Sequence, residues 1–336
     1  MSKYSPCWPQ QLLLVLVSAA VMMSCGEIVD ELVDEPVVAQ HEEPVIGGED
    51  ALPGEWPWQA QLSVPGYSHW CGGSLLNEEW VLTAAHCASG KSPADFTVRL
   101  GVHQLSAPDG WVQTRGVVDI EIAAYNPATG DNDIALLQLD APVIFTSRVQ
   151  PISVRTTDAP VGTAAFVTGW GNTAPGSGAS DILQEAILPV EDTTTCNDAG
   201  TLSRTVTDTM VCAGYLTGEQ GGCHGDSGGP LVISGGFSNG WELIGVVSWG
   251  VGYYCSSYTV FARLSTLAAW INSIAGPQGV YGDANQDGCV DQADYDLVVT
   301  NYGTPPAVDA RADLNEDGVV DYYDVLTVVQ NWGEGC

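Results

Sequence analysis

Basic residues are scarce in this sequence. Nine Lys and Arg stand against 41 Asp and Glu, giving a formal net charge of −32 at pH 7, and only Lys3 and Lys91 are lysines. Such a surface repels phosphate backbones, so a nucleic-acid partner is not expected. It favours cations, or a salty exterior that screens the self-repulsion. A plainer interpretation, that acidity only keeps a secreted protein soluble, explains most of the surface equally well.

Long apolar runs are absent after the N-terminus. Residues 12–23 form an apolar run of about a dozen residues behind Lys3, which is too short to span a bilayer. We therefore predict that residues 1–26 are an export signal. Residues 22–26 resemble a bacterial lipoprotein processing site with Cys25 as the lipidated residue. Lipidation of Cys25 and simple cleavage nearby both remain open, and membrane association is expected only through that lipid.

Pairs of the Cys-x-x-Cys type are also lacking, which argues against a cysteine metal site. Export places the ten cysteines in an oxidising compartment. Cys7 leaves with the signal, and Cys25 is either removed or lipidated. The remaining cysteines are even in number, which predicts disulfides. They are Cys71, Cys87, Cys196, Cys212, Cys223, Cys255, Cys289 and Cys336.

The amino-acid composition of the chain changes three more times after the predicted signal. Residues 27–44 are acidic and nearly free of aromatics, as in a propeptide or flexible tether. Residues 45–276 alternate short β-branched and aromatic runs, such as 80–83, with Gly, Pro, Asn and Asp turns. This pattern predicts an all-β barrel or sandwich, closed by a helical segment at 264–274. A Gly- and Pro-rich boundary then separates residues 280–336.

A serine lies in a glycine-rich turn, Gly-Asp-Ser-Gly-Gly-Pro, at residues 225–230. The glycines allow a tight turn that exposes the hydroxyl of Ser227 and aims the N–H groups of Gly225 and Ser227 at one point. Peptide hydrolysis by a serine needs such a hydroxyl, a base in the right tautomer and donors for the oxyanion. Taken alone, however, such a turn is most often just a loop.

Two further segments supply the base and its partner. His86 follows an apolar run beside Cys87, and Asp133 precedes another apolar run, where its carboxylate can be buried and accept an imidazole N–H. Each of them alone is more often an ordinary core, solvent or turn residue. In the chain order His, Asp, Ser they fit a catalytic triad, with Ser227 as nucleophile, His86 as general base and Asp133 orienting the histidine.

Residues 45–275 resemble the trypsin/chymotrypsin family of serine proteases. The resemblance is carried by Thr-Ala-Ala-His-Cys at 83–87, Asp-Ile-Ala-Leu-Leu at 133–137, Gly-Trp-Gly at 169–171, the serine turn at 225–230 and Ser-Trp-Gly at 248–250. It implies a secreted serine endopeptidase acting on proteins or peptides without a catalytic cofactor. The implied fold is two six-stranded antiparallel β-barrels with the site between them. The implied disulfides are Cys71–Cys87, Cys196–Cys212 and Cys223–Cys255.

The resemblance also implies support and activation of the site. Ser248 would support Asp133, and the backbone of Ser248, Trp249 and Gly250 would pair with the substrate strand. Residues 45–48 match the N-terminus that is freed by zymogen cleavage, so the ammonium of Val45 should pair with Asp226. A proline precedes residue 45 where digestive members carry a basic residue. Another protease, rather than trypsin-like self-activation, is therefore expected to process the chain.

The primary specificity pocket is predicted to be uncharged. Gly221 stands where trypsins hold an aspartate, so cleavage after Arg or Lys is not expected. Gly222 follows it, Gly250 leaves one wall open, and Thr259 stands on the other. We expect small to medium apolar residues at P1, with Ala, Val and Leu ahead of Phe. The preference should be broad, since one methylene separates substrates only ~10–200-fold.

The C-terminal segment contains an Asp-rich motif twice, with a period of 30 residues. Oxygen ligands at loop positions 1, 3, 5, 7, 9 and 12, with Gly at position 6, suit Ca²⁺, and each loop runs into an apolar helical pattern. Two calcium sites are predicted. The first set is Asp283, Asn285, Asp287, the carbonyl of Cys289, Asp291 and Asp294. The second set is Asp313, Asn315, Asp317, the carbonyl of Val319, Asp321 and Asp324.

The pair resembles a type I dockerin, which implies a calcium-folded module that binds a cohesin and anchors its enzyme. A disulfide between Cys289 and Cys336 is a hypothesis from parity. A purely structural calcium module remains an alternative. So do a catalytically silent homologue that only binds, and a chain whose purpose is the anchor rather than the protease. Secretion or attachment to a bacterial cell surface is expected in each case.

Overall fold

The computed structural model of the chain describes residues 48–173, 177–217, 220–238, 240–250, 257–276, 283–285, 289–303, 309–314, 319–330 and 332–333. The predicted signal, the acidic segment and Val45 lie outside these residues. Among the helices described, none has both the length and the apolar character needed to cross a membrane.

The first barrel follows a two-residue strand, β1 (Glu49–Asp50). Its strands are β2 (Gln59–Val64), β3 (Tyr67–Leu75), β4 (Trp80–Thr83), β5 (Thr97–Leu100), β6 (Gln113–Ile122) and β7 (Ala135–Leu139). They pair antiparallel in the order β2-β3-β4-β7-β6-β5, and the barrel is closed. Fully buried side chains such as Leu62, Leu82 and Leu100 fill its interior, so the barrel is a packed core.

The second barrel is built from the later strands. These are β8 (Ser153–Val154), β9 (Ala164–Gly169), β10 (Gln184–Glu191), β11 (Met210–Ala213), β12 (Pro230–Ser238), β13 (Trp241–Gly250) and β14 (Thr259–Arg263). Six of them run in the order β10-β11-β14-β13-β12-β9, and pairing of β9 with β10 closes the ring. Strand β8 pairs with β13, and β1 pairs with β10. The prediction of two six-stranded antiparallel barrels is confirmed.

Helices are few and short. They are α1 (Ala85–Ala88), α2 (Thr193–Asp198), α3 (Leu264–Ala275), α4 (Gln292–Thr300) and α5 (Tyr322–Gln330), with 3₁₀ turns at Pro93–Asp95 and Ala310–Ala312. The helix predicted at 264–274 is α3, which buries Leu264, Leu267 and Ile271. Helices α4 and α5 follow the two Asp-rich loops, as the repeat predicted.

The C-terminal segment has a small core of its own. Val290 and Val298 from the first repeat pack with Val320 and Val328 from the second, and all four are fully buried. These pairs are 30 residues apart, so equivalent positions of the two repeats meet. The repeat in the sequence is therefore also a repeat in the packing.

Two of the implied disulfides are present, Cys71–Cys87 and Cys196–Cys212, and each closes a separation of 16 residues. A loop of that length is worth about 3 kcal/mol in the chain-entropy account. Cys223 and Cys289 are also disulfide-bonded. Their predicted partners, residues 255 and 336, lie outside the described residues, so those two pairings stay predictions.

Candidate active site and calcium loops

The histidine and the aspartate of the predicted triad meet at the end of the first barrel. His86 is the second residue of α1, directly after β4, and the disulfide of its neighbour Cys87 fixes that turn. Asp133 precedes β7 and is only 2% exposed. Its Oδ2 lies 2.7 Å from Nδ1 of His86, and its Oδ1 accepts the backbone N–H of His86 at 2.8 Å. The carboxylate therefore fixes both the ring and the backbone of the histidine.

A third donor comes from the second barrel. The hydroxyl of Ser248, on β13, donates to Oδ2 of Asp133 at 2.5 Å. An ionised carboxylate only accepts hydrogen bonds, so it selects the tautomer of His86 with the proton on Nδ1. Nε2 is then left with a lone pair. This is the tautomer that a general base needs.

Ser227 lies in the turn before β12. Its carbonyl accepts the N–H of Gly72 at 2.8 Å. The next residue, Gly228, has a φ of +80°, and a Cβ there would lie 2.2 Å from Oγ1 of Thr83 and 3.1 Å from the N of Ala84. Only glycine can bring the serine turn so close to the segment that carries His86.

In the described part of the chain the hydroxyl of Ser227 forms no hydrogen bond with His86, whose Nε2 lies 3.7 Å from Sγ of Cys87. Such contacts are often long or poorly aligned before the substrate is bound. The N–H groups of Gly225 and Ser227 likewise donate to no other described residue. Gly225 has a φ of +106° and its carbonyl accepts Nε2–H of His69 at 2.8 Å. Burial lowers the pKa of His69, although the hydrogen bond to the carbonyl of Gly225 opposes that shift.

Asp226 is fully buried directly beside the nucleophile. Its Oδ1 accepts the N–H of Gly171 and its Oδ2 the N–H of Cys223, each at 2.8 Å. Burial raises its pKa to about 6, although the two N–H donors oppose that rise. A Cβ at Gly169 or Gly171 would lie 2.2 or 2.4 Å from its carboxylate oxygens. The Gly-Trp-Gly motif is thus the cradle of this carboxylate.

The residues of the predicted pocket come together as well. The hydroxyl of Thr259 accepts the N–H of Gly222 at 3.1 Å, and a Cβ at Gly221 would lie 3.1 Å from that hydroxyl. A Cβ at Gly250 would meet no atom of the described residues within 4 Å. No charged side chain is among these residues, and the threonine narrows the space beside the two glycines.

The two predicted calcium loops are described in part. Asp287, Asn315 and Asp317 lie outside the described residues, whereas the other predicted ligands lie within them. The two carboxylates at loop position 12, of Asp294 and Asp324, are fully buried. Each one bridges the two ends of its loop.

The bridges run to backbone N–H groups. Asp294 accepts from Asn285 at 2.9 Å and Asp291 at 2.8 Å. Asp324 accepts from Leu314 and Asp321, both at 2.7 Å. The two loops therefore close in nearly the same way.

The composition of this segment fits a hard cation. Residues 280–336 contain ten aspartates, two glutamates and a single basic residue, Arg311. Arg311 pairs with Asp309 at 2.7 Å, which is not a loop ligand. Buried carboxylates need a positive charge nearby, and Ca²⁺ with oxygen ligands supplies one.

Comparison with known proteins identifies both parts. A family model described as Trypsin matches residues 45–271, and one described as Dockerin type I domain matches residues 281–331. The chain belongs to the trypsin family of serine proteases. A dockerin type I module thus follows the protease domain of this trypsin-family chain, and modules of that family generally bind calcium.

Relatives of the trypsin family extend the finding. Trypsin 5G1 of Aedes aegypti is 39% identical over 235 residues, which cover 69% of this chain and 85% of that protein. Clotting factor C of Tachypleus tridentatus is 38% identical over 267 residues, covering 70% of this chain and 26% of that protein. Human Transmembrane protease serine 5 is 36% identical over 240 residues, covering 69% and 51%. The chain thus spans about half or less of these two longer relatives.

Sequence reasoning missed three residues that shape this trypsin-family site. His69 holds the turn at Gly225, and nothing in its local sequence marks it. Gly169 and Gly171 were used only as a family motif, yet their missing side chains make room for Asp226. Their role depends on a contact across 55 residues, which local patterns do not reveal.

Proposed function

We propose that this chain is a secreted serine endopeptidase that cleaves after small or medium apolar residues. The observation that carries the proposal is a hydrogen-bond network around Asp133. Its carboxylate accepts the backbone N–H and the Nδ1–H of His86, and also the hydroxyl of Ser248. The network joins residues 115 positions apart in two separate barrels. An arrangement that leaves a lone pair on Nε2 of the histidine, with the serine turn packed against the segment that carries it, is what acyl transfer requires.

The chemistry proceeds through an acyl-enzyme. Nε2 of His86 takes the proton as Oγ of Ser227 attacks the scissile carbonyl, and Asp133 stabilises the imidazolium. The N–H groups of Gly225 and Ser227 stabilise the oxyanion of the tetrahedral intermediate. His86 then gives its proton to the leaving amine, and water hydrolyses the ester by the same steps. No cofactor enters the reaction.

Maturation would place a charge beside Asp226. An uncompensated buried carboxylate is costly, and Asp226 has only two backbone donors among its described contacts. The freed ammonium of Val45 supplies the missing charge and so shapes the turn at Gly225. The proline before Val45 makes a different protease the activator.

The specificity follows from the pocket. Gly221, Gly222 and Thr259 bring no charge to its base, and the open space at Gly250 admits a side chain from one side. We expect Ala, Val and Leu to be preferred over Phe at P1, and Arg to be disfavoured.

The test is hydrolysis of a peptide panel by processed protein with a free Val45. The peptides differ only at P1, with Ala, Val, Leu, Phe or Arg, and Ser227→Ala is the control. Loss of the nucleophile should lower kcat by ~10⁴-fold or more. If the processed wild-type protein cleaves none of the peptides, the catalytically silent alternative is correct. Preferred cleavage after Arg would instead refute the pocket assignment alone.

The C-terminal module anchors this protease through a cohesin. Calcium bound in the two loops would neutralise carboxylates, with Asp283, Asp291 and Asp294 holding one ion and Asp313, Asp321 and Asp324 the other. The remaining predicted ligands complete each set. Pull-down with immobilised cohesin modules, with and without calcium, tests the anchor. Calcium binding without capture by any cohesin would support the purely structural alternative.

A further inference from the structure

A positive charge lies beside the candidate active site. The guanidinium of Arg204 is 6.0 Å from the centre of the indole ring of Trp249. Trp249 follows Ser248, whose hydroxyl binds Asp133. Burial and the charge of Asp133 raise the pKa of Tyr125, and the charge of Arg204 opposes that rise. The arginine and the triad aspartate are therefore near the same phenol.

The surroundings explain why the arginine stays there. Gly130 lies three residues before Asp133, and a Cβ on it would be 3.1 Å from Nε1 of Trp249 and 3.3 Å from Nη1 of Arg204. The indole and the guanidinium thus pack directly on the backbone of Gly130. Nε1 of Trp249 is buried and donates to no acceptor in the described part of the chain. Two donor groups converge at this point.

No carboxylate of the described residues neutralises the charge of Arg204. In the described residues it takes part in no ion pair, whereas Arg148, Arg155, Arg263 and Arg311 all pair with carboxylates. Such a site is unusual in a chain with a net charge of −32. The carboxylate of Asp131, the residue after Gly130, already accepts hydrogen bonds from the hydroxyls of threonines 129, 207 and 209. Arg204 is exposed, so an incoming carboxylate can reach it.

We propose that Arg204 and Trp249 form an acid-selecting subsite for a substrate residue at P2, P3 or P4. The inference rests on the proposed function, because it places the substrate strand along Ser248, Trp249 and Gly250. The indole offers an apolar platform for the stem of a Glu side chain, and the guanidinium binds its carboxylate. Preferred substrates would then combine an apolar P1 residue with an acidic residue upstream.

The experiment compares peptides with one P1 residue, Ala, and with Glu, Gln or Lys placed in turn at P2, P3 and P4. The measured quantity is the Glu/Gln ratio of kcat/KM at one position, at fixed ionic strength. At one of these positions we expect a ratio of about 1.5- to fivefold, the range of an exposed ion pair. Lys should be poorer than Gln there. The ratio should fall towards one as NaCl rises to ~0.5 M.

Variants assign the preference to Arg204. In Arg204→Gln the Glu/Gln ratio should fall to about one, and in Arg204→Glu the order of Glu and Lys should invert. Arg148→Gln is the matched control, since Arg148 also lies over an indole, that of Trp111, at 5.3 Å. This control should keep the wild-type ratio. Equal rates for Glu, Gln and Lys peptides at all three positions would overturn the subsite and leave the protease intact. No cleavage of any peptide would overturn the proposed function instead.

Discussion

The protease domain and the two Asp-rich repeats stabilise buried carboxylates in different ways. Both bury carboxylates, Asp133 and Asp226 in the barrels and Asp294 and Asp324 in the loops. In the barrels, most donors come from distant parts of the chain, and the exception is the N–H of Cys223, three residues before Asp226. In the repeats, each buried carboxylate accepts N–H groups from within its own loop.

The difference follows from size and charge. Two closed barrels bury enough apolar surface to hold a costly carboxylate in place. Among the described residues of the C-terminal segment, the fully buried core consists of six valines and alanines with four partly buried side chains packed against it, and the segment's one basic residue is already paired. It cannot neutralise its loops from its own side chains. We therefore expect the protease to fold by itself and the repeats to fold with calcium.

Removal of calcium should produce the largest difference in stability between the C-terminal repeats and the protease domain. In the full chain, chelation should abolish amide-exchange protection in α4 and α5 and leave protection in the barrels unchanged. Ligand linkage contributes about 4 kcal/mol when calcium is ~1,000 times its Kd, enough to decide folding of a small module. Peptide hydrolysis by the processed protein should persist.

Matched variants sharpen this test. Asp294→Asn, on α4, and Asp324→Asn, on α5, remove buried loop carboxylates. Asp296→Asn changes an exposed aspartate of α4. Calorimetric calcium binding should weaken in the first two variants and stay normal in the third. Protection of α4 and α5 that survives chelation would show that the repeats fold like the barrels, without a cation.

Local sequence patterns predicted the all-β class and picked out His86 and Asp133, which the structure brings together, whereas the two six-stranded barrels were implied by the family resemblance. Strand β4 begins and ends where its apolar run does, and His86 and Asp133 stand at the ends of such runs. The cradle of Asp226 left no such mark, because the contacts of Gly169 and Gly171 are across the fold. Local patterns also did not reveal that Arg204 has no ion-pair partner among the described residues, since its exposure and its indole partner depend on the placement of the loop that carries it.

The buried carboxylate of Asp226 provides the second test, through pH. Its folded pKa, about 6, lies above the usual value of 3.8, so the native chain holds this proton more tightly than the unfolded chain. Stability from this group is therefore full below pH ~4 and is lost as pH rises through 6, by about 3 kcal/mol. Urea unfolding of the unprocessed protein measures it.

Variants isolate the effect. In Asp226→Asn that loss should vanish, so the variant gains stability relative to the wild type as pH rises from ~4 to ~7. Asp119→Asn, at an exposed aspartate, should show no comparable gain. Processing should reverse the trend, because the ammonium of Val45 favours the charged carboxylate. If the free energy of unfolding depends on pH in the same way in the wild type and in Asp226→Asn, the carboxylate of Asp226 is not an unpaired buried charge in the unprocessed protein.

The smallest expected effect concerns Ser248, the donor that reaches Asp133 from the other barrel. Ser248→Ala leaves Asp133 with the two N–H donors of His86, and a lost hydrogen bond to a charged group costs about 1.5–3 kcal/mol. Because the imidazolium depends on that carboxylate, we expect kcat to fall about tenfold with KM nearly unchanged. Ser74→Ala is the control, since that buried hydroxyl makes no hydrogen bond in the described chain. If Ser248→Ala and Ser74→Ala behave alike, the link between the barrels is structural packing and does not position the histidine.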